Sequence, residues 1–95
     1  MKLLNIKIRG TTQAVQYSGS STHAVALQHW VETGEYKQPH ISTQDIRPTT
    51  LNMPDGSIIE LEAGDYLCVH TLGSEIAFTG VTTEVFAKHF EALPD

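Results

Sequence analysis

Residues 51–71 of the sequence, LNMPDGSIIELEAGDYLCVHT, decide the fold class because apolar and polar side chains alternate around two turns. The first turn is PDG at 54–56, where proline presets φ, aspartate hydrogen-bonds locally and glycine accepts a positive φ. The second turn is AGD at 63–65, which leads into a strand over 66–71. With a further short strand over 75–79, three or four antiparallel strands are predicted to form a meander.

Two strands are predicted before this region. Residues 4–9 alternate apolar and polar side chains at period two, which is typical of a strand with one buried face. Residues 13–17 form a second extended stretch. It either pairs with the first as a hairpin or continues it past a bend, and the pattern leaves both arrangements open.

Two helices complete the prediction. Between residues 22 and 33 the spacing becomes helical, with Ala24, Leu27 and Val31 at i, i+3 and i+7. A second helix is predicted from about residue 82, where phenylalanines recur at i and i+4. The expected order is ββ-α-ββββ-α, a single α+β domain over residues 1–95 with an antiparallel sheet and two short helices.

Size and charge restrict the function. A chain of 95 residues excludes a two-domain enzyme, and so small a domain permits self-association through a strand edge or a helix face. The net charge is −5: residues 1–50 hold five bases and three acids, whereas residues 51–95 hold one base and eight acids. This distribution disfavours direct binding to nucleic acid or to an anionic membrane, and it permits a protein partner with a basic surface.

The chain shows no motif for catalysis or metal binding. The single cysteine, Cys68, can form neither an internal disulfide nor a cysteine-based zinc site. It lies two residues from His70 on a predicted strand, but its apolar neighbours favour a structural thiol. His23 and His29 stand six apart on the first helix, and we expect both to face solvent. We therefore predict no catalytic residue, no metal and no cofactor, and, without an apolar span or an export signal, a cytoplasmic protein.

Aromatic side chains are candidates for partner contact. Trp30 lies at the edge of the apolar stripe of the first helix, where it packs in the core or serves as an exposed anchor. Tyr36 follows in a stretch without apolar periodicity, so we expect it to be partly exposed. Together with His40, these two side chains could form one recognition patch.

Four short blocks follow one another over most of the chain: QAVQYSG at 13–19, a helix with Trp30, AGDY at 63–66 and FAKHF at 86–90. In this order they resemble a widespread family of small phage and prophage proteins whose function is undefined. The resemblance implies a phage or prophage origin and expression in a bacterial cytoplasm. It carries over no catalytic residue.

The sequence departs from the family pattern at three places. Ala63 replaces a proline before Gly-Asp, the stretch 75–81 is longer than its counterpart, and a proline before the last helix is missing. These changes affect the geometry of the loops more than the fold.

The favoured function is stoichiometric protein binding that inhibits a bacterial antiviral defence system, in the manner of an anti-CRISPR protein. An acidic face would occupy a basic nucleic-acid channel of a host immune effector, with Trp30 and Tyr36 as the apolar anchor. The acidic face consists of Asp55, Glu60, Glu62, Asp65 and Glu75. For Asp65, closing the turn at 63–65 is the alternative role.

Two other functions are kept. An oligomer could capture an immune signalling nucleotide, for which an aromatic face and cationic side chains are needed. The candidates are Arg9, Tyr17, Lys37 and Arg47. The third function is that of a phage accessory or assembly protein without a role against host defence.

Overall fold

The computed structural model of the chain describes residues 3–5, 11–41 and 45–91, and within them it has five strands and two helices. The elements in chain order are β1 (Thr11–Gln16), α1 (Ser21–Thr33), β2 (Thr49–Asn52), β3 (Ile58–Leu61), β4 (Tyr66–Leu72), β5 (Glu75–Val81) and α2 (Thr83–His89). The predicted α+β class is confirmed. The strand predicted over residues 4–9 falls mostly outside the described residues, and the stretch predicted over 13–17 corresponds to β1.

The predicted meander is divided between two sheets. β2 and β3 form a two-stranded antiparallel sheet, whereas β1, β4 and β5 form a three-stranded antiparallel sheet with β4 in the centre. β4 pairs with β1 rather than with β3. The turn before β4 is hydrogen-bonded to Tyr17, the residue that follows β1. Tyr17 N–H donates to Asp65 O at 2.7 Å, and Gly64 N–H donates to Tyr17 O at 2.8 Å. Both edges of β4 are then occupied, by β1 and by β5.

The core lies between the two sheets and α1. Its most buried aliphatic side chains are at most 1% exposed, and they come from α1, β2, β3 and β4: Leu27, Leu51, Leu61 and Leu67. β5 crosses close to β3 at Gly80, where an added Cβ would lie only 2.8 Å from Ile59 Cγ2. Glycine is therefore required there by the close approach of the two sheets.

The two helices are held differently. α1 buries His23, Leu27, Trp30 and Val31, and it ends at Gly34, whose N–H donates to Trp30 O at 2.8 Å. No helix within the described residues is both long and apolar enough to cross a bilayer.

α2 lies against the surface and buries no residue completely. Thr82 caps it by accepting a hydrogen bond from Val85 N–H at 3.2 Å. The ring of Phe86 stacks on that of Tyr66, with centroids 3.8 Å apart and an interplanar angle of 5°. This aromatic stack and the hydrogen bond from Thr83 Oγ1 to Gly64 O join the helix to the rest of the fold.

Candidate functional site

Two of the predicted acidic residues line one surface cleft. Glu60 and Glu62 lie there with Leu61 and residues 48–50, around a volume of ≈ 520 Å³, and we call this the acidic cleft. Both carboxylates are exposed. Glu60 is held in place by β3, where it stands directly opposite Thr50 of β2.

The charge of the acidic cleft is not compensated by an ion pair within the described residues. The one ion pair found among the described residues joins Lys88 Nζ to Glu84 Oε1 at 3.5 Å, and it is exposed on α2. Because the described residues supply no cationic partner to these two neighbouring carboxylates, the pair contributes negative potential at this surface. The arrangement is suited to attract a basic partner and contains no acid–base pair held at hydrogen-bonding distance.

The remaining acids of the predicted face are not among the residues that line the acidic cleft. The carboxylate of Asp65 accepts a hydrogen bond from Glu62 N–H at 2.9 Å, so its role is to close the turn before β4. Glu75 begins β5, five residues before the Gly80 that packs on β3, which is about 17 Å along a strand. Asp55 lies in the turn between β2 and β3. Of the five acids of the predicted face, Glu60 and Glu62 line the acidic cleft, and the single face stays a prediction.

Trp30 belongs to the core. It is 5% exposed, its ring centroid lies 5.2 Å from that of Tyr36, and Phe78 packs edge-on at 6.3 Å. The prediction of an exposed anchor at this position is wrong, and the core alternative is confirmed. Tyr36 is half-buried, and both rings line a cleft of ≈ 400 Å³ beside residues 13–15 of β1. His40 is exposed, and its carbonyl accepts a hydrogen bond from Thr22 near the start of α1.

A buried histidine links α1 to the loop before it. Ser18 N–H donates to His23 Nδ1 at 3.0 Å, so the ring proton is on Nε2. Nε2 lies 3.0 Å from the hydroxyl of Tyr36, which in turn donates to Gln38 Oε1 at 2.6 Å. The neutral imidazole is thus fully hydrogen-bonded in the interior.

The prediction that His23 faces solvent is wrong. The side chain is 1% exposed, whereas His29 is exposed as predicted. The signal was present in the spacing, because His23, Leu27 and Trp30 stand at i, i+4 and i+7 on one stripe. A histidine on that stripe is buried with the leucine and the tryptophan.

The hydroxyl of Ser18 lies 2.9 Å from His23 Nδ1, a pairing that serine nucleophiles use. Here the same nitrogen already accepts the backbone N–H of Ser18, and the hydroxyl oxygen accepts Ser20 N–H at 3.2 Å. Neither Ser18 nor His23 is among the residues that line the acidic cleft or the cleft beside residues 13–15. The pair therefore holds the loop against α1.

The buried His23 makes the stability of the fold depend on pH. Burial lowers the pKa of its imidazole below the ordinary value of 6.5. Between the lowered pKa and the ordinary value, the unfolded chain therefore binds more protons than the folded chain. We expect the free energy of unfolding to be highest above about pH 6.5 and to fall as the pH drops through it.

Chemical denaturation at intervals between about pH 5.5 and 7.5, where carboxylates stay ionised, measures this dependence. His23→Gln removes the titrating ring and is expected to flatten the slope of unfolding free energy against pH. His29→Gln changes an exposed histidine of the same helix and is expected to keep the wild-type slope. A His23→Gln protein with the wild-type slope would contradict the assignment.

Of the four residues proposed for nucleotide binding, the structure describes Tyr17, Lys37 and Arg47. Tyr17 is 1% exposed, and its hydroxyl donates to Arg47 O at 2.7 Å, so its ring offers no face for a base. The prediction that Tyr17 stacks on a nucleotide base is wrong. Lys37 and Arg47 are exposed, and Arg9 lies outside the described residues.

Cys68 has the structural role that its apolar neighbours predict. It is 7% exposed, and burial raises the pKa of its thiol, which keeps it protonated at neutral pH. His70 bonds through Nδ1 to Thr12 Oγ1 across the sheet. Within residues 3–5, 11–41 and 45–91, no three side chains of the metal-binding types come together.

Comparison with known proteins gives no relative whose role could be considered for this chain. No protein-family model, no curated protein and no solved structure matches it. The resemblance to phage proteins stays a prediction. The function is therefore inferred from the surface of the chain itself.

Proposed function

We propose that the protein binds a basic protein surface stoichiometrically through the acidic cleft and that its partner is a host antiviral defence protein. The observation that supports this function is the exposed pair Glu60 and Glu62, which share one cleft without an ion pair from the described residues. The partner surface that fits is a channel lined by lysine and arginine, such as the nucleic-acid channel of an immune effector.

Complementary charge increases the association rate and the specificity for a partner more than it increases the affinity. An exposed ion pair contributes about 0.2–1 kcal/mol, so two carboxylates need an apolar contact beside them. Ile58 is 55% exposed and precedes Glu60 by two positions on β3, which places both side chains on one face of the strand. We therefore assign the role of apolar anchor to Ile58, because Trp30 is buried.

The phage origin implied by the sequence blocks supports a target in the host cell. Binding of an acidic protein to a nucleic-acid channel blocks the effector without any chemical step. The proposed action is therefore inhibition by occupancy, with one copy of the protein for each channel.

Co-purification from infected bacterial cells, followed by mass spectrometry, tests the class of partner. A host immune protein recovered with the tagged chain is the expected result. A nucleotide without protein would favour the signalling-nucleotide function, and a phage structural protein would favour the assembly function. Either result would overturn the proposal.

Reversing both charges of the cleft tests the surface itself. The variant Glu60→Lys/Glu62→Lys is expected to bind the recovered partner about tenfold more weakly. Its affinity should also vary less with salt, because attraction between opposite charges is what salt screens. Calorimetry at two or more salt concentrations measures both effects.

The matched control is Glu35→Lys/Glu91→Lys, which makes the same change in net charge at exposed positions outside the cleft. We expect it to retain most of the affinity and the salt dependence. If the two double variants lose affinity equally, net charge rather than the cleft determines binding.

A further inference from the structure

A groove lies along β5 at the turn end of the β2–β3 hairpin, whereas the acidic cleft lies at the open end. It has a volume of ≈ 580 Å³, and we call it the edge groove. Three segments line it: residues 31–34 at the end of α1, residues 53–55 in the hairpin turn, and residues 74 and 76–78 at the start of β5.

β5 is an edge strand of its sheet, so half of its backbone hydrogen-bonding groups are not used by β4. All seven of its residues pair with β4 in an unbroken register, from Leu72↔Glu75 to Tyr66↔Val81. On the other side of β5 the described residues provide no strand, and no loop or turn hydrogen bond involves residues 75–81. Alternate N–H and C=O groups of an edge strand point away from its neighbour and remain open to a further strand.

The edge also lacks the features that protect edge strands from pairing. Proteins block such edges with lysine, proline or a bulge. β5 has the sequence EIAFTGV, which contains neither lysine nor proline, and its register with β4 shows no bulge. Its sole charged residue is Glu75 at the first position.

The floor of the edge groove is apolar. Ile76 is 48% exposed and stands two positions from the half-buried Phe78, so both side chains lie on the same face of β5. Val31 and Met53 continue this floor from α1 and from the hairpin. An extended segment paired with β5 would direct every second side chain onto this floor.

The rim of the edge groove is acidic. Glu32 and Asp55 line it, and neither forms an ion pair within the described residues. Asp55 accepts hydrogen bonds from Ser57 N–H and Ser57 Oγ at 2.9 and 2.6 Å, which fix its carboxylate in the turn. If β5 paired with β5 of a second copy, the same acids and a net charge of −5 would come from both chains. Repulsion between like charges therefore opposes self-association at this edge.

We infer that the free edge of β5 binds an extended segment of another protein by strand addition, with apolar side chains in the edge groove and lysine or arginine at its ends. Main-chain hydrogen bonds to β5 would supply affinity, and the groove and its acidic rim would supply selectivity. This surface is separate from the acidic cleft and does not depend on the proposed function.

A synthetic peptide of matching pattern tests the inference. In acetyl-KTVTVTK-amide, the two lysines and two valines occupy alternate positions and therefore lie on one face of an extended chain. Titration into the isotope-labelled protein should shift the backbone amide signals of residues 75–81 and slow their hydrogen exchange. The amide signals around the acidic cleft should not move.

Two matched pairs of changes locate the contact, one pair in the protein and one in the peptide. Ile76→Lys places a positive charge on the edge and should weaken peptide binding at least tenfold, whereas Val85→Lys, at a similarly exposed apolar position on α2, should not. N-methylation of the peptide at its threonines or at its valines blocks opposite edges of the extended chain. One pattern should abolish binding and the other should preserve it.

The inference is overturned if millimolar peptide leaves the β5 signals unchanged, or if both N-methylated peptides bind like the parent. It is also overturned if the protein alone self-associates with protection of the β5 amides, because a second copy would then be the occupant. A Glu60→Gln/Glu62→Gln variant should bind the peptide normally. Loss of partner binding in that variant therefore tests only the proposed function.

Discussion

Replacing Trp30 by alanine is expected to lower the free energy of unfolding by about 3–5 kcal/mol. The indole is 5% exposed, and it contacts Tyr36 from the loop after α1 and Phe78 from β5. Its removal would leave a cavity between the helix and the sheet and would break two aromatic contacts. The expected effect is one on folding, since the indole presents almost no surface to a partner.

Urea denaturation followed by far-UV circular dichroism measures this loss, because Trp30 is the sole tryptophan and its fluorescence disappears with it. Val25→Ala is the matched control: Val25 is 70% exposed on the same helix, and its truncation should change the free energy of unfolding by no more than about 0.5 kcal/mol. A Trp30→Ala protein of wild-type stability that fails to bind its partner would show that the indole is an anchor after all.

Gly19→Ala is expected to destabilise the fold by about 2–5 kcal/mol, the second large effect. Gly19 has φ of 93°, a conformation that costs a residue with Cβ about 1–2 kcal/mol. The added Cβ would also lie 2.6 Å from Ile46 Cγ2 and 3.0 Å from Ala63 Cβ. Overpacking of this kind costs about 1–3 kcal/mol more.

Gly56→Ala separates the two contributions. Gly56 has a similar φ of 89°, but no atom lies within 4 Å of an added Cβ. Its substitution should show the conformational cost alone, so the difference between the two variants in urea denaturation measures the clash. Equal losses in both variants would mean that Ile46 moves aside freely.

The elements that depend on local pattern were predictable from the sequence. The PDG turn at 54–56 and the alternation on either side give the β2–β3 hairpin, and the spacing of Leu27 and Val31 gives α1. The pairing of β1 with β4 was not predictable. It depends on hydrogen bonds between Tyr17 and the turn at 64–65, which connect residues nearly fifty positions apart.

In the candidate sites, too, the features set by local pattern were predictable and those set by tertiary contacts were not. Outward alternation on β3 correctly predicted that Glu60 is exposed. The position of Trp30 could not be decided, because tryptophan at the edge of an apolar stripe occurs both in cores and at interfaces. The contact of His23 with Tyr36 spans a loop between α1 and residue 36. Only the tertiary structure brings those two rings together.

The central position of β4 has a consequence for the order of folding. Its partners in β1 lie 50 to 60 positions earlier in the chain, whereas its partners in β5 follow within 15 positions. Closing the longer loop carries the larger entropic cost, and such non-local pairing slows folding. During synthesis, β1 and α1 leave the ribosome well before β4 exists. The three-stranded sheet therefore completes only after most of the chain has emerged, and until then β1 has no native partner among the described strands.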